Sequence, residues 1–549
     1  MFIARRLSPL SRRLYVILCS VAALLAASAP AHAQQAQPLV AGQNVNMVGG
    51  PWSYDSTTGR IVGDPFLQRQ NEPSLALSSR NPCHILAGAN DYRAVDVPGL
   101  PGDTETGDAW LGLLKSIDCG QTWTSTLLPG YPQDRSAEGM ASPLKGLAAG
   151  ADATVRAGVG GLFYYSGIAF NRGSNDLGKV FVSTFLDDNN KEQGDPMHYL
   201  QTVVVDTGTS GQFLDKPWIA ADIPRNGATC SINGQTIPAG PVYMAYTSFV
   251  GGTNNPRSKI MFSQSTDCGA TWSNPAKLSE RIALNQGTVM AISPVDGSIF
   301  IAWREFADQS LDPNAPSTVS AILFARSTDG GKSFTKAAPI DSALHPFDQG
   351  SSTVSFRTNA YPTMAVDGGG RIYVAWAARG FSAAAPDPVA GDARIVMSTS
   401  SDGGATWSMP RSIVDNYPGA GHQFMPTLTF AAGKLVIAYY DLRDDVSQVF
   451  GKYVNEAEAG TLSGKRHTLE LRAAMADPAS APLFTTYTTV TGAGAEVPST
   501  QVSQYLFGNY TSVSSGRRVN VQLQYNPPNL PIFAKGTVPF IGDYIDIAG

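Results

Sequence analysis

Four times the chain repeats an eight-position stretch of the form S-x-D-x-G-x-[ST]-[WF]: residues 116–123, 265–272, 327–334 and 400–407. A repeat of this kind settles architecture before composition does, because each copy must be one supersecondary unit stacked on its neighbours. The residue types describe a tight hairpin. The Asp carboxylate accepts hydrogen bonds from turn amides a few residues on, the Gly supplies a positive φ at no steric cost, and the aromatic residue anchors the returning strand in apolar surroundings.

The stretch resembles the Asp-box, or bacterial neuraminidase repeat, of sialidase-like β-propellers. In that family the box caps the hairpin between the third and fourth strands of a blade, on the face opposite the active site. The resemblance therefore gives Asp118, Asp267, Asp329 and Asp402 structural roles and implies an all-β, six-bladed propeller. A second repeat, upstream of each box, pairs an opening strand with a strand ending in an aromatic residue. Openings of the type Glu72-Pro73-Ser74, Lys216-Pro217-Trp218, Tyr361-Pro362-Thr363 and Met425-Pro426-Thr427 are followed by runs such as Val242–Tyr246, Ile299–Trp303 and Ile372–Trp376. Apolar, β-branched and aromatic runs bounded by Gly and Pro read as buried strands. These pairs place blades near 70–130, 215–280, 285–340, 358–415 and 422–510. A boxless sixth fits between, with Leu162–Phe170 and Lys179–Phe185 as its first two strands and Tyr199–Asp206 as a third.

The expected organisation is a signal peptide over 1–33, a leader over 34–65, the propeller over 66–538, and 539–549 as a closing strand or the start of a further blade. Arginines 5, 6, 12 and 13 precede an apolar run and the small-x-small site Ala31-His32-Ala33, which predicts export to the periplasm or beyond with cleavage after Ala33. Ser11-Arg12-Arg13-Leu14-Tyr15 is also compatible with twin-arginine export. No later stretch has the length and apolarity of a membrane span. With 549 residues, a net charge of −5 and only 15% charged residues, the chain has the composition of a turn-rich β protein, and its weak negative charge gives no reason to invoke nucleic acid, which calls for a basic face. Once Cys19 leaves with the signal, four cysteines remain. Cys119 and Cys268 occupy the same box position, and Cys83 and Cys230 precede them by 36 and 38 residues, each expected at the end of a preceding inner strand. The pairing Cys83–Cys119 and Cys230–Cys268 is the one of three connectivities that respects the repeat. Metal ligation is the alternative, although the spacing matches no zinc pattern. No phosphate-cradling loop, Ser-His-Asp order or cofactor motif is present.

Propeller topology maps residues just before opening strands, or just after second strands, to the top-centre cleft. The first set contains Arg69, Asn71, Glu72, Asp215, Lys216, His422 and Gln423. The second contains Asn90, Asp91, Tyr92, Arg93, Arg304, Glu305, Arg379, and residues 440–445 from Tyr440 to Asp445. The family resemblance implies an exo-acting hydrolase of sialic acid or a related acidic sugar on a glycoconjugate or polysaccharide. Arg93, Arg304, Arg379 and Arg443 would then grip the substrate carboxylate, Asp91 or Asp441 would be the acid, and Glu305 with Tyr440 or Tyr361 the nucleophilic pair. The chain departs from the family at its Arg-Ile-Pro-type opening, where Asn71-Glu72-Pro73 puts Asn71 in the arginine's place. Two alternatives stand beside the hydrolase: a non-catalytic propeller that binds glycan or protein through the same face, and an endo-acting polysaccharide hydrolase. For each candidate residue the alternative role is structural, since Arg and Asp at strand ends pair to tie blades together, as Asp441 with Arg443 would.

Overall fold

The computed structural model describes residues 42–48, 52–64, 70–93, 108–171, 178–232, 234–251, 257–280, 283–306, 320–348, 357–413, 421–443, 469–484 and 541–549, with the backbone of short strands between 487 and 522. Six four-stranded antiparallel meanders are arranged as the blades of a β-propeller. Their opening strands are Gln70–Leu77, Ala149–Ala157, Gln212–Ala221, Leu284–Ile292, Thr363–Val366 and Gln423–Ala431. We number the blades 1 to 6 in that order. Among the described residues no helix is long and apolar enough to cross a membrane.

The second strands are largely buried, and those of blades 3, 4 and 5 carry an aromatic residue into an interface between blades. Tyr246, Trp303 and Trp376 have no exposed surface, and burial of such a side chain contributes roughly 2–3 kcal/mol. Separate apolar clusters fill the contacts between blades 1 and 2, 2 and 3, 3 and 4, 4 and 5, and 5 and 6. Before blade 1, a hairpin of Ser53–Asp55 and Arg60–Val62 packs on that blade's outer strand, where Thr126 Oγ1 donates to the Ile61 carbonyl at 2.6 Å.

The four boxes close the third-to-fourth-strand turns with one shared bonding scheme. In the first, the Ser116 hydroxyl donates to Asp118 and accepts from the Gly120 amide at 2.9 Å, while the Thr122 amide and hydroxyl both donate to the Asp118 carboxylate. Asp267, Asp329 and Asp402 repeat it. Hydrogen bonds from these hydroxyls and amides hold the Asp118 and Asp329 carboxyls down at about 2. Two successive residues in each turn have positive φ, the Gly of the repeat and the residue before it: Cys119 at 62° and Cys268 at 59° stand where the other boxes have Gly330 and Gly403. Both cysteines form the expected disulfides, Cys83–Cys119 and Cys230–Cys268. Cys83 lies in the turn entering blade 1's second strand. Cys230 lies in a hairpin of Thr229–Ile232 and Gln235–Pro238 inserted between the first and second strands of blade 3, rather than at a strand end.

Two expectations are corrected. In the boxless blade 2, Leu162–Phe170 is the second strand and Ala149–Ala157 opens the sheet. The opening run Ala149-Gly150-Ala151-Asp152-Ala153 lacks large apolar residues because it is tightly enclosed; a β-carbon on Gly150 would meet Leu111 at 3.3 Å. Residues 541–549 pair into no sheet. Instead of the expected closing strand, they lie along the inner faces of the opening strands.

Candidate functional site

Five of the six opening strands lose register with their neighbour at the same place: between Asn71 and Ser74, Ala151 and Thr154, Asp215 and Trp218, Gln286 and Val289, and Phe424 and Thr427. Each break contains one residue with positive φ, namely Glu72 at 54°, Asp152 at 61°, Lys216 at 47°, Gly287 at 72° and Met425 at 48°. A bulge re-aims the side chain it carries, and the left-handed conformation costs a non-glycine residue roughly 1 kcal/mol or more. In blades 1, 2 and 3 the re-aimed side chains are charged, and they meet.

The Lys216 ammonium lies 3.3 Å from Glu72 Oε1, 3.6 Å from Asp152 Oδ1 and 2.6 Å from Asp543 Oδ2. Asn90 ties the strands together, its amide donating to Asn71 Oδ1 at 2.9 Å and Glu72 Oε2 at 2.8 Å while its oxygen accepts from the Asp152 amide at 2.7 Å. The Lys216 amide donates to Asp152 Oδ2 at 2.9 Å. From the fourth and fifth blades come Gln286, Arg357, Asn359 and Tyr361. The Tyr361 hydroxyl donates to Gln286 Oε1 at 2.6 Å, and its ring covers Gly287 so closely that a β-carbon there would sit 2.0 Å from it.

Asp543 is the centre of this network. Its Oδ1 accepts from Arg357 Nε at 3.0 Å and Asn359 Nδ2 at 2.9 Å; its Oδ2 is paired with Arg357 Nη2 and Lys216. Its own amide donates to Glu72 Oε1 at 2.9 Å. From there the segment runs towards the box side of the ring. Tyr544 donates to the Ala153 carbonyl at 3.0 Å, Asp546 accepts from Ser74 and Arg156, each at 2.6 Å, and Gly549 lies against Ala431 at the far end of blade 6's opening strand. Contacts with opening strands around the ring place 541–549 in the axial channel. Near the box side a cavity of about 350 Å³ remains beside Ile547–Gly549, with Trp218, Met290 and Phe430 in its wall.

Burial drives the Glu72 carboxyl up to about 8, although Lys216 opposes the shift; Asp152 and Asp543 add to it. Burial likewise raises Asp152 to about 6 against the pull of Lys216. Asp543 goes the other way: burial works to raise it, but Lys216 and Arg357 together hold it below the ordinary carboxylate range. Near neutral pH the arrangement is therefore an ionised Asp543 between an ammonium and a guanidinium, with a protonated Glu72 alongside.

The opening-strand positions singled out in the sequence thus converge in part. Asn71, Glu72 and Lys216 reach the axis, Asp215 joins them by accepting from Gln286, and Asn90 comes from the second set. Each of the four arginines has a partner of its own. Arg93 is buried against Asp91, with Nη2 to Oδ2 at 2.6 Å, and bonds Ser125 and the Gly63 carbonyl. Arg304 forks onto Asp348 at 2.8 and 2.6 Å over the Phe306 ring. Arg379 donates to the Gly391 carbonyl at 2.7 Å with its guanidinium 5.1 Å above Phe347. Arg443 holds Asp441 at 2.7 Å, and Gln423 bonds the same carboxylate. Glu305 is half-buried on blade 4, whereas Tyr440 belongs to blade 6, packs on Phe424 and has its hydroxyl pushed up to about 12 by burial. His422 stacks on Phe347 with ring centres 3.8 Å apart. Arg69, Asp444 and Asp445 lie outside the described residues.

Asp152, Arg357, Asn359, Asp543 and Tyr544 were not picked out from the sequence. Arg357 and Asn359 do precede an opening strand and satisfy the mapping rule. Asp152 was hidden by the strand offset in blade 2, and Asp543 and Tyr544 by reading their segment as a strand.

A family model described as BNR repeat-like domain matches residues 224–418, the span holding the boxes of Asp267, Asp329 and Asp402. No curated protein matches the sequence. Among solved structures, an α-L-arabinanase of Penicillium chrysogenum complexed with arabinobiose is similar at 11% identity and a TM-score of 0.39, over 73% of this chain and 94% of that one. An α-L-arabinofuranosidase of Fusarium graminearum with arabinobiose aligns at 13% identity and 0.39, over 70% and 92%. A Trypanosoma rangeli sialidase in complex with the inhibitor DANA aligns at 12% and 0.35, over 69% and 54%. No residue role is carried over from these chains.

Proposed function

We propose that this chain is an exported Asp-box propeller that binds an acidic glycan at the axial end of its top face, seating the ligand's carboxylate between Lys216, Arg357 and Asn359. One observation carries the reading: a carboxylate, that of Asp543, is held at this point by a fork from Arg357, an ammonium and an amide. Charge-assisted, bidentate contacts of this kind recognise carboxylates strongly and directionally. The arginines first expected to do this are occupied with Asp91, Asp348, Asp441 and the Gly391 carbonyl. The two disulfides and the signal-like residues 1–33 support an oxidising compartment, secreted or periplasmic.

The test is titration of the mature protein with sialylated and uronic-acid oligosaccharides against their neutral counterparts. Selective binding of the acidic set, lost in Lys216→Met and Arg357→Gln but kept in an Arg304→Ala, Arg443→Ala double variant, is the expected result. Equal binding of neutral sugars, or retention in Arg357→Gln, overturns it.

A hydrolytic role is favoured by a separate observation. Glu72 stays protonated near neutrality beside Asp152, which is the state a general acid requires. Turnover of a fluorogenic sialic acid glycoside by the wild type, abolished in Glu72→Gln, would establish it. Binding without turnover leaves the propeller a recognition module.

A further inference from the structure

The seat described above is already full. Asp543 does not reach it as a stray surface residue; it arrives on a segment that follows the channel from the top face to the box side. At the top, the segment gives a carboxylate to Lys216, Arg357 and Asn359. Three residues on, Asp546 gives a second one to Arg156, Ser74 and the Leu75 amide. Between them Tyr544 bonds the Ala153 carbonyl. The segment makes these contacts without a single sheet hydrogen bond and has the binding mode of an extended acidic peptide in a groove. The seat also lies close to solvent, because the Arg357 side chain that forks onto Asp543 is 39% exposed.

Withdrawal of Asp543 need not strand the buried ammonium. Glu72 Oε1 already lies 3.3 Å from Lys216 Nζ. Glu72 thus stays within reach of the ammonium while an incoming carboxylate takes the place of Asp543 on Lys216, Arg357 and Asn359. An unpaired buried cation would otherwise oppose release strongly.

We propose that residues 541–549 are an intramolecular ligand of the axial site, with Asp543 occupying in cis the seat of an external carboxylate, so that ligand and segment compete. The inference rests on the acidic-ligand reading above and adds its regulation. Displacement is an exchange of non-covalent contacts only, carboxylate for carboxylate, and needs no co-reactant.

The test compares the full chain with an Asp543→Asn, Asp546→Asn variant, checked for folding by circular dichroism and for monodispersity. The primary probe is a sialylated oligosaccharide followed by calorimetry. Competition predicts that the variant binds at least tenfold tighter than the wild type, with no change for the neutral sugar. Equal affinities overturn the inference while leaving the proposed function intact. If neither protein binds the acidic sugar, the proposed function fails, and a fluorescent peptide of residues 541–549 decides the inference separately. Peptide binding to the variant but not to the wild type supports a displaceable cis ligand; binding to neither, or equally to both, refutes it. Should the double variant not fold, Asp546→Asn alone loosens the segment and leaves the charge balance at Asp543 unchanged, with the same outcomes expected at smaller amplitude.

Discussion

Replacing Glu72 with Gln probes the axial network most directly. The carboxyl is 1% exposed and accepts from Asn90 and the Asp543 amide. Its folded-state value of about 8 lies above its ordinary 4.5, so the folded protein binds this proton more tightly than the unfolded chain does. Stability from that proton is fully present below 4.5 and is lost as pH rises towards 8. At about 1.4 kcal/mol per pH unit, the loss is about 3 kcal/mol by pH 7 and under about 1 kcal/mol at pH 5. Gln reproduces the protonated shape and cannot ionise. Urea unfolding at pH 5 and pH 7, at one ionic strength, should therefore show the stability of Glu72→Gln gaining on the wild type by about 2–3 kcal/mol between the two conditions. Asp152 titrates in both proteins and largely cancels. A constant difference would mean that Glu72 is ionised against Lys216 in the folded protein, and the assignment of Asp543 as the anion paired with Lys216 would fall with it.

Three further outcomes follow from individual contacts. Arg93→Met leaves the buried Asp91 carboxylate without its partner, so unfolding free energy should fall by about 3–5 kcal/mol while acidic-glycan binding at the axis persists; loss of binding without loss of stability would return Arg93 to the ligand site. Substituting both Cys230 and Cys268 with Ser opens a crosslink over a sequence separation of 38. That should lower stability by about 4 kcal/mol on chain-entropy grounds, and treatment of the wild type with reductant should shift its unfolding midpoint in the same direction. Gly287→Ala combines a φ of 72° with a β-carbon inside the Tyr361 ring. The ring must leave Gln286, so this variant should weaken axial binding more than a Tyr361→Phe change, which removes only the hydroxyl; equal effects would show that ring position is immaterial.

The ring of blades was legible because its signals are local. Ser, Asp, Gly and Thr at fixed offsets in a box specify one turn through their own hydrogen bonds, and the pairing of Cys119 with Cys83 and of Cys268 with Cys230 follows from equivalent places in that turn. The boxless blade was harder. Its opening strand carries Ala and Gly where the others carry larger residues, so hydrophobic periodicity first appears one strand late, at Leu162.

The axial site was only half legible, and the reason lies in how the fold makes it. The bulge recurs at the same point of five opening strands, yet its positive-φ residue is in turn Glu, Asp, Lys, Gly and Met. The backbone geometry repeats without a residue type, so no motif marks it. What the bulge does is aim a side chain at the axis, and the sequence decides only what arrives there. Glu72, Asp152 and Lys216 on three adjacent blades bring two acids and one cation to one point, a set whose charges cannot all persist in a dry site. Asp543, more than three hundred residues from Lys216 in sequence, supplies the anion that two cations hold ionised, while burial, with Asp152 and Asp543 adding to it, keeps Glu72 protonated. The functional state of each group is thus fixed by residues with which it shares no local pattern. A reading by spacing alone finds Glu72 and Lys216 but misses the competitor that links them.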